Sequence, residues 1–221
     1  MICVSLAETP LLHCLAALEK VPFAEIRMDR MHLSPADVRA LFSRHPNLIA
    51  TCRPGVVPDH DRKTLLVRAI ESGAAFVDVE VEAPAGYRKE IVARARAYAC
   101  RVIISFHDYE NTPLRRDLER VVAACFQAGG DIAKIACRVR SLRDNARLLG
   151  LLDDEREIVV VGMGEEGRIT RIAAPLLGSP FTFASLSTGK ETAEGQMDKE
   201  TLEAIICVLV ASAGLEEKPH E

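Results

Sequence analysis

The stretch RVIISFHDYENTPLRRDLERVVAACFQAGGDIAKIAC, residues 101–137, decides the fold. It opens on residues 101–107, an apolar, β-branched run of strand length, and closes on a second such run, 131–137. Between them Pro113-Leu114 opens a helical segment, with Thr112 as its expected cap, and Gly129-Gly130 stops it. Strand, helix and strand joined by short loops make one parallel crossover. Outward from this unit the pattern repeats. Further runs lie at 2–6, 24–29, 48–53, 76–81, 157–163 and 181–186, with starts roughly 22 to 30 residues apart. Ser34-Pro35 reads as a cap followed by proline at the first helical position, and Pro84-Ala85 opens another helix. Strict alternation of strand and helix implies a parallel sheet. Eight even units without a linker favour a closed (β/α)8 TIM barrel over an open doubly wound sheet. The expectation is one barrel over 1–213 and a polar, disordered tail over 214–221.

Bulk properties narrow the function. Of 221 residues, 48% are hydrophobic and 27% charged, which is ordinary globular composition. A chain of this size buries enough apolar surface to need no disulfide or metal staple. The net charge of −4 lacks the basic field of a nucleic-acid binder. No apolar run reaches the ~18 residues of a membrane span. The start, Met-Ile-Cys-Val-Ser-Leu-Ala, has neither a basic region nor a long apolar one, so it reads as a strand rather than a secretion signal. Seven cysteines, without CxxC spacing, suggest buried thiols in a reducing cytoplasm.

Polar residues interrupt the strands at intervals of two. Strand two carries Glu25, Arg27 and Asp29; strand three Thr51 and Arg53; strand four Asp78, Glu80 and Glu82; strand five Ser105 and His107; strand six Lys134. Residues two apart share a face. Their neighbours Ile26, Met28, Val77, Val79, Val81, Ile104, Phe106, Ile132 and Ile135 are assigned to the helix-facing side. The polar face then looks into the barrel near the strands' C-terminal ends, where barrels of this type carry their chemistry. Buried charges survive only when paired or functional. Lys134, mid-strand with no charged residue within two positions, is the candidate nucleophile. Burial and a neighbouring cation, Arg27 or Arg53, would favour its neutral amine. His107, at the end of strand five, is the candidate proton-transfer group. Gly162-Met-Gly164-Glu-Glu-Gly167 matches GxGxxG but sits in the seventh unit, so an anion-binding turn is the plainer reading. Arg168 and Arg171 follow it, and either guanidinium can clamp a carboxylate.

These residues resemble a family. Glu25-Ile-Arg27-Met-Asp29, Thr51-Cys-Arg53, Asp78-Val-Glu80, Ser105-Phe-His107-Asp-Tyr109 with Thr112-Pro113, Asp131-Ile-Ala-Lys134-Ile-Ala136, Met163-Gly164 with Thr170-Arg171, and Gly195-Gln196 look like type I 3-dehydroquinate dehydratase, in family order along the whole chain. The resemblance implies a (β/α)8 barrel that dehydrates 3-dehydroquinate in the shikimate pathway, without metal or organic cofactor, in a cytoplasmic homodimer. It implies that Lys134 forms an imine with the substrate ketone and that His107 is the general acid/base. Arg171 would clamp the carboxylate, and Glu25, Arg27 and Arg53 would orient hydroxyl and carboxylate groups. Ser5 matches a strand-one contact, and Thr192 and Gln196 match a loop that closes over the substrate. Asp78, Glu80 and Met163 would support the site. Two departures stand out. Many members carry a glutamate shortly after the Arg53 position that pairs with the histidine. Residues 54–59 here contain none, leaving Asp78 and Glu80 as candidates to orient His107. Many members also begin with a hairpin that caps the barrel's bottom, whereas this sequence starts directly on strand one, so side chains alone are expected to cover that end.

Two other readings compete. A class I aldolase acting on a sugar phosphate would use the same lysine and need a phosphate site after strands seven and eight, for which the turn 162–167 is available. A non-catalytic ligand-binding barrel would not need Lys134, His107 and Arg171 together.

Overall fold

The computed structural model describes residues 1–8 and 10–213; the expected tail over 214–221 lies outside them. Eight strands alternate with eight helices: β1 (Ile2–Leu6), α1 (Leu11–Leu18), β2 (Ala24–Arg27), α2 (Pro35–Phe42), β3 (Leu48–Thr51), α3 (Asp59–Glu71), β4 (Phe76–Glu80), α4 (Ala85–Ala97), β5 (Arg101–Asp108), α5 (Arg115–Gln127), β6 (Ile132–Arg138), α6 (Leu142–Gly150), β7 (Ile158–Met163), α7 (Arg168–Ala173), β8 (Thr182–Ser185) and α8 (Lys199–Ala213). From β1 to β7 each strand pairs in parallel with the next, and β8 pairs in parallel with β1. Between β7 and β8 the described residues form no ladder, which leaves one seam in a nearly closed (β/α)8 TIM barrel. No helix among the described residues is long and apolar enough to cross a membrane.

Local chemistry explains the elements. α5 buries Leu118, Val122 and Cys125, a stripe at four- and three-residue spacing that faces the sheet. Gly129 ends its exit turn at φ 97°, where a side chain would be strained. Ser34 caps α2 in a reciprocal box with Asp37, as Ser34-Pro35 suggests. One apolar layer lies between strands and helices. A second fills the barrel and includes Cys3, Ile49, Ile103, Ile132, Val159, Phe181 and Phe183. The barrel floor is closed by phenylalanines: Phe23, Phe76 and Phe181 meet at ring centroid distances of 5.2 to 6.1 Å, and Phe183 stands on Phe181 at 5.5 Å. Side chains alone do this among the described residues.

The structure corrects several local readings. Thr112 does not cap α5, whose N-cap is Leu114 without a side-chain bond; its hydroxyl donates to the Arg138 carbonyl at 2.7 Å and ties the loop to β6. β2 ends at Arg27, and Asp29 lies in a 3₁₀ turn, Met28–Arg30, pulled there by its pairing with Arg27. β4 ends at Glu80, so Glu82 is exposed beyond it. Ile132 faces the barrel interior rather than the helices, because it stands two residues before Lys134 and shares its face. The seven cysteines are all free thiols, six of them buried, with Cys207 exposed on α8.

Candidate active site

At the C-terminal ends of the strands a cavity of about 270 Å³ opens. Strand alternation alone carries Ser5, Glu25, Arg27, His107, Lys134 and Met163 into it, each from the inward face of its strand. Arg53 enters just beyond β3, Arg171 from α7, and Thr192 and Gln196 from the loop between β8 and α8. Ten of the twelve residues singled out above therefore line one cavity, and Asp78 and Glu80 stand behind Arg53.

Lys134 sits at the centre and is buried. Its Nζ donates to Asp78 Oδ2 at 3.0 Å and lies 3.5 Å from Glu25 Oε1 and 4.1 Å from the Phe183 ring centroid. The lysine is thus ion-paired with Asp78, where the sequence favoured a neutral amine over a lysine paired with Asp78 or Glu80. Burial alone would raise the Asp78 carboxyl, but Arg53 and Lys134 outweigh it and hold it far below the carboxylate range. Arg53 grips Asp78 with two nitrogens, at 2.8 and 2.6 Å, and also reaches Glu80 at 2.8 Å. Glu25 accepts from the Ser5 and Thr51 hydroxyls at 2.8 and 2.9 Å. Burial would raise this carboxyl too, yet Lys134, Arg27 and Arg53 keep it lowered.

Arg171 is the opposite case. It is 1% exposed and has no carboxylate partner among the described residues. Nη1 and Nη2 donate to the Phe183 and Glu194 carbonyls at 3.2 and 3.3 Å, and Nε is buried with no acceptor. Burial, helped by Arg168, pushes its pKa down to about 10. A buried cation without a counter-ion is costly, and an anion placed in the cavity would relieve that cost. Above it the β8–α8 loop is folded inward. Gln196 Oε1 accepts from Thr192 N at 2.7 Å, Arg27 donates to the Thr192 carbonyl at 3.3 Å, and Arg138 pairs with Glu194. Gly195, at φ 75°, packs so closely on Gly164 that an added Cβ would lie 2.2 Å from the Gly164 carbonyl oxygen.

A sequence model of type I 3-dehydroquinase matches residues 2–211. The chain belongs to the type I 3-dehydroquinase family. The 3-dehydroquinate dehydratases of Methanocaldococcus jannaschii and Dehalococcoides mccartyi are 33% and 31% identical to it, over 93% and 89% of this chain and 97% and 90% of theirs. Among solved structures, the 3-dehydroquinate dehydratase of Aquifex aeolicus aligns with a TM-score of 0.81 and 26% identity, covering 93% of this chain and 96% of that one. The type I enzyme of Clostridium difficile, solved with covalently modified comenic acid, aligns at 0.84 over 96% of this chain and 92% of that one; at 22% identity it speaks to the fold alone.

Within this type I 3-dehydroquinase barrel, His107 differs from expectation. Neither Asp78 nor Glu80 hydrogen-bonds it, because both carboxylates are taken by arginine and lysine. Its ring stacks on Tyr109, centroids 5.9 Å apart and planes inclined by 17°. Burial, then Arg53 and Lys134, depress its pKa well below 6.5, against a smaller opposing pull from Asp78. Both effects favour the neutral imidazole. The turn 162–167 is also not the free anion site considered above. Its glycine N–H groups are spent internally: Gly162 on Thr170 Oγ1, Gly164 on the Glu194 carbonyl and Gly167 on the Gly164 carbonyl. The glycines serve close backbone packing, since a Cβ on Gly167 would lie 2.4 Å from the Gly162 carbonyl carbon. Arg168 is exposed and paired with Glu165, and it does not line the cavity.

Sequence reasoning passed over Arg30 at the rim, Phe183 beneath Lys134, and Arg62 behind Glu80. Arg62 left a readable signal. It precedes Leu66, Ala69 and Ile70 by four, seven and eight residues, so it lies in the buried stripe of α3.

Proposed function

We propose that the chain dehydrates 3-dehydroquinate to 3-dehydroshikimate through an imine on Lys134, with His107 moving the protons. One observation carries the reading: a buried lysine and a buried arginine, Arg171, which has no carboxylate partner among the described residues, face one cavity together with His107. The substrate's carboxylate supplies the counter-ion that Arg171 lacks, and its C3 ketone then meets Lys134. His107 takes a proton from the ammonium, and the freed amine adds to C3. The imidazolium returns that proton to the carbinolamine hydroxyl, which leaves as water, and a cationic imine remains. The cation acidifies C2–H, because the electron pair released there forms a neutral enamine. His107 removes this proton and delivers it to the C1 hydroxyl, which departs as a second water. Addition of one water to the conjugated imine releases the product and Lys134, so the net loss is one water.

Arg53 and Asp78 fix the position of Nζ, and the chain Gln196, Ser5, Glu25 joins the closing loop to the same group. Pairing of two copies and work in the cytoplasm belong to this reading by family likeness. The test is borohydride added to the enzyme with 3-dehydroquinate, followed by intact and peptide mass. A reduced substrate adduct on Lys134 is expected. An adduct elsewhere, or none, would overturn the mechanism, and trapping of a sugar phosphate instead would return the aldolase reading.

A further inference from the structure

Arg62 lies on α3, outside the cavity, yet it is only 3% exposed. Each guanidinium nitrogen has a partner. Nε donates to the Cys52 carbonyl at 2.8 Å, Nη1 to Asp59 at 2.7 Å and Nη2 to Glu80 Oε2 at 2.7 Å. The other Glu80 oxygen accepts from Arg53 at 2.8 Å, Arg53 holds both oxygens of Asp78, and Asp78 holds Lys134 at 3.0 Å. Arg62, Glu80, Arg53, Asp78 and Lys134 thus form a file of alternating charge. It runs from a helix outside the barrel to the candidate nucleophile inside it.

We infer that Arg62 is a positioning residue for the reaction: by holding Glu80 from outside the barrel, it keeps Arg53 on Asp78 and so sets the charge that faces Lys134 and His107. The inference rests on the imine reading above. Glu80 is buried and accepts from a cation on each oxygen. Without Arg62 its Oε2 would be left without a donor, at the full desolvation cost of a charged atom. Turning both oxygens onto Arg53 satisfies it, since a guanidinium offers a carboxylate two parallel N–H groups. Arg53 already offers that pair to Asp78, so Asp78 would lose it. Asp78 would then face Lys134 and His107 with more of its charge unneutralised. Lys134 would be held harder against Asp78, and the imidazole protonated more readily. The charged groups around His107 are Arg27 from β2, Arg53 from just beyond β3, Asp78 from β4 and Lys134 from β6, with Tyr109 stacked on it from its own loop. Arg53, Asp78 and Lys134 belong to the file, and of these Arg53 and Asp78 exchange partners. Arg171, Thr192 and Gln196 enter from α7 and the β8–α8 loop and keep their places, so the Arg171 clamp and the loop contacts are spared.

The test compares Arg62→Met, Arg62→Lys and the pair Arg62→Met with Glu80→Gln in the full chain. Arg62→Met should lower kcat roughly tenfold or more, the size of a coupled-network effect. KM should stay near wild type, and the acid limb of kcat against pH should move upward. Arg62→Lys keeps a cation for Glu80 and should recover most of both. The double variant removes the orphaned charge, so its acid limb should return toward wild type. If Arg62→Met does not fold, Arg62→Gln, which keeps a donor for the Cys52 carbonyl and loses the charge, takes its place. A double variant no better than Arg62→Met, in rate and in pH profile, would assign Arg62 to the fold alone and overturn the inference. So would a wild-type kcat and acid limb in Arg62→Met. Borohydride separates this failure from that of the imine reading. A wild-type chain that yields no Lys134 adduct takes both down, whereas a trapped wild type with an indifferent Arg62→Met overturns this inference alone.

Discussion

The floor and the mouth of the barrel are built by the same strands with the same alternation, yet they hold opposite kinds of side chain. At the floor Phe23, Phe76, Phe181 and Phe183 close the barrel with Ile49, Ile103 and Ile132. At the mouth Glu25, Asp78 and Lys134 occupy equivalent inward positions a step further along, joined by Arg53 from just beyond β3 and Arg171 from α7. Burying the floor stabilises the fold without demanding particular partners. Burying the mouth costs energy unless each charge finds its counterpart, and among the described residues all but Arg171 do so. The difference separates stability from chemistry along one axis. Phe183 stands at the boundary, on Phe181 below and under Lys134 above.

Substitutions at the two ends should therefore fail in different ways. The largest effect on turnover is expected from Lys134→Ala, a loss on the order of 10⁴-fold or more in kcat with the fold retained. Asp78 keeps Arg53, and Glu25 keeps Ser5 and Thr51, so circular dichroism and the melting temperature should change little. Near-normal rates in this variant would sink the mechanism.

His107→Ala should lower kcat by about 10²–10⁴-fold, at or above the top of that range because the group serves several steps. The imine should still form, more slowly, and accumulate as a borohydride-trappable adduct on Lys134. Fast product formation would move the proton transfers elsewhere, with Glu80 the first residue to test. The same variant checks a stability signature. The pKa of His107 is depressed in the folded state, so the unfolded chain binds the proton more readily. Its neutral form contributes stability that is complete above the ordinary value near 6.5 and lost as pH falls below it. Urea midpoints measured from pH 7 to 5 should fall in the wild type and fall less in His107→Ala. Loss from Glu25 and Asp78, whose carboxyls are lowered, belongs to more acid solutions, as pH drops through their depressed values.

Arg171→Lys should raise KM roughly tenfold or more while kcat falls less, because lysine keeps the charge and loses the two-nitrogen edge. Steady-state kinetics and product affinity read this directly. Unchanged affinity would transfer the clamp to Arg53. Phe181→Ala sharpens the comparison from the other end. It should destabilise the fold by about 3–5 kcal/mol in urea unfolding and leave kcat close to that of wild type below the melting range. A kcat loss there larger than the one in Arg171→Lys would show that floor and mouth are not separable.

Much of this was determined by the sequence by itself. A strand's alternation and a helix's stripe are local patterns, so the eight units, the inward parity of Glu25, Asp78 and Lys134, and the capping box at Ser34 can be read from neighbours a few residues apart. Family motifs added the positions that now line the cavity. What only the tertiary structure decided were the partners. Lys134 meets Asp78 and Glu25 across 56 and 109 residues of chain, and Gln196 meets Ser5 across 191. Those pairings exist only once β8 has returned to β1 and the barrel has closed. The closed barrel also decided that, among the described residues, His107 has no hydrogen-bonded carboxylate and Arg171 no counter-ion, and that Arg62 supports the site from outside. Electrostatic pairing is set by distance in space, and local sequence carries no record of which distant charge will arrive.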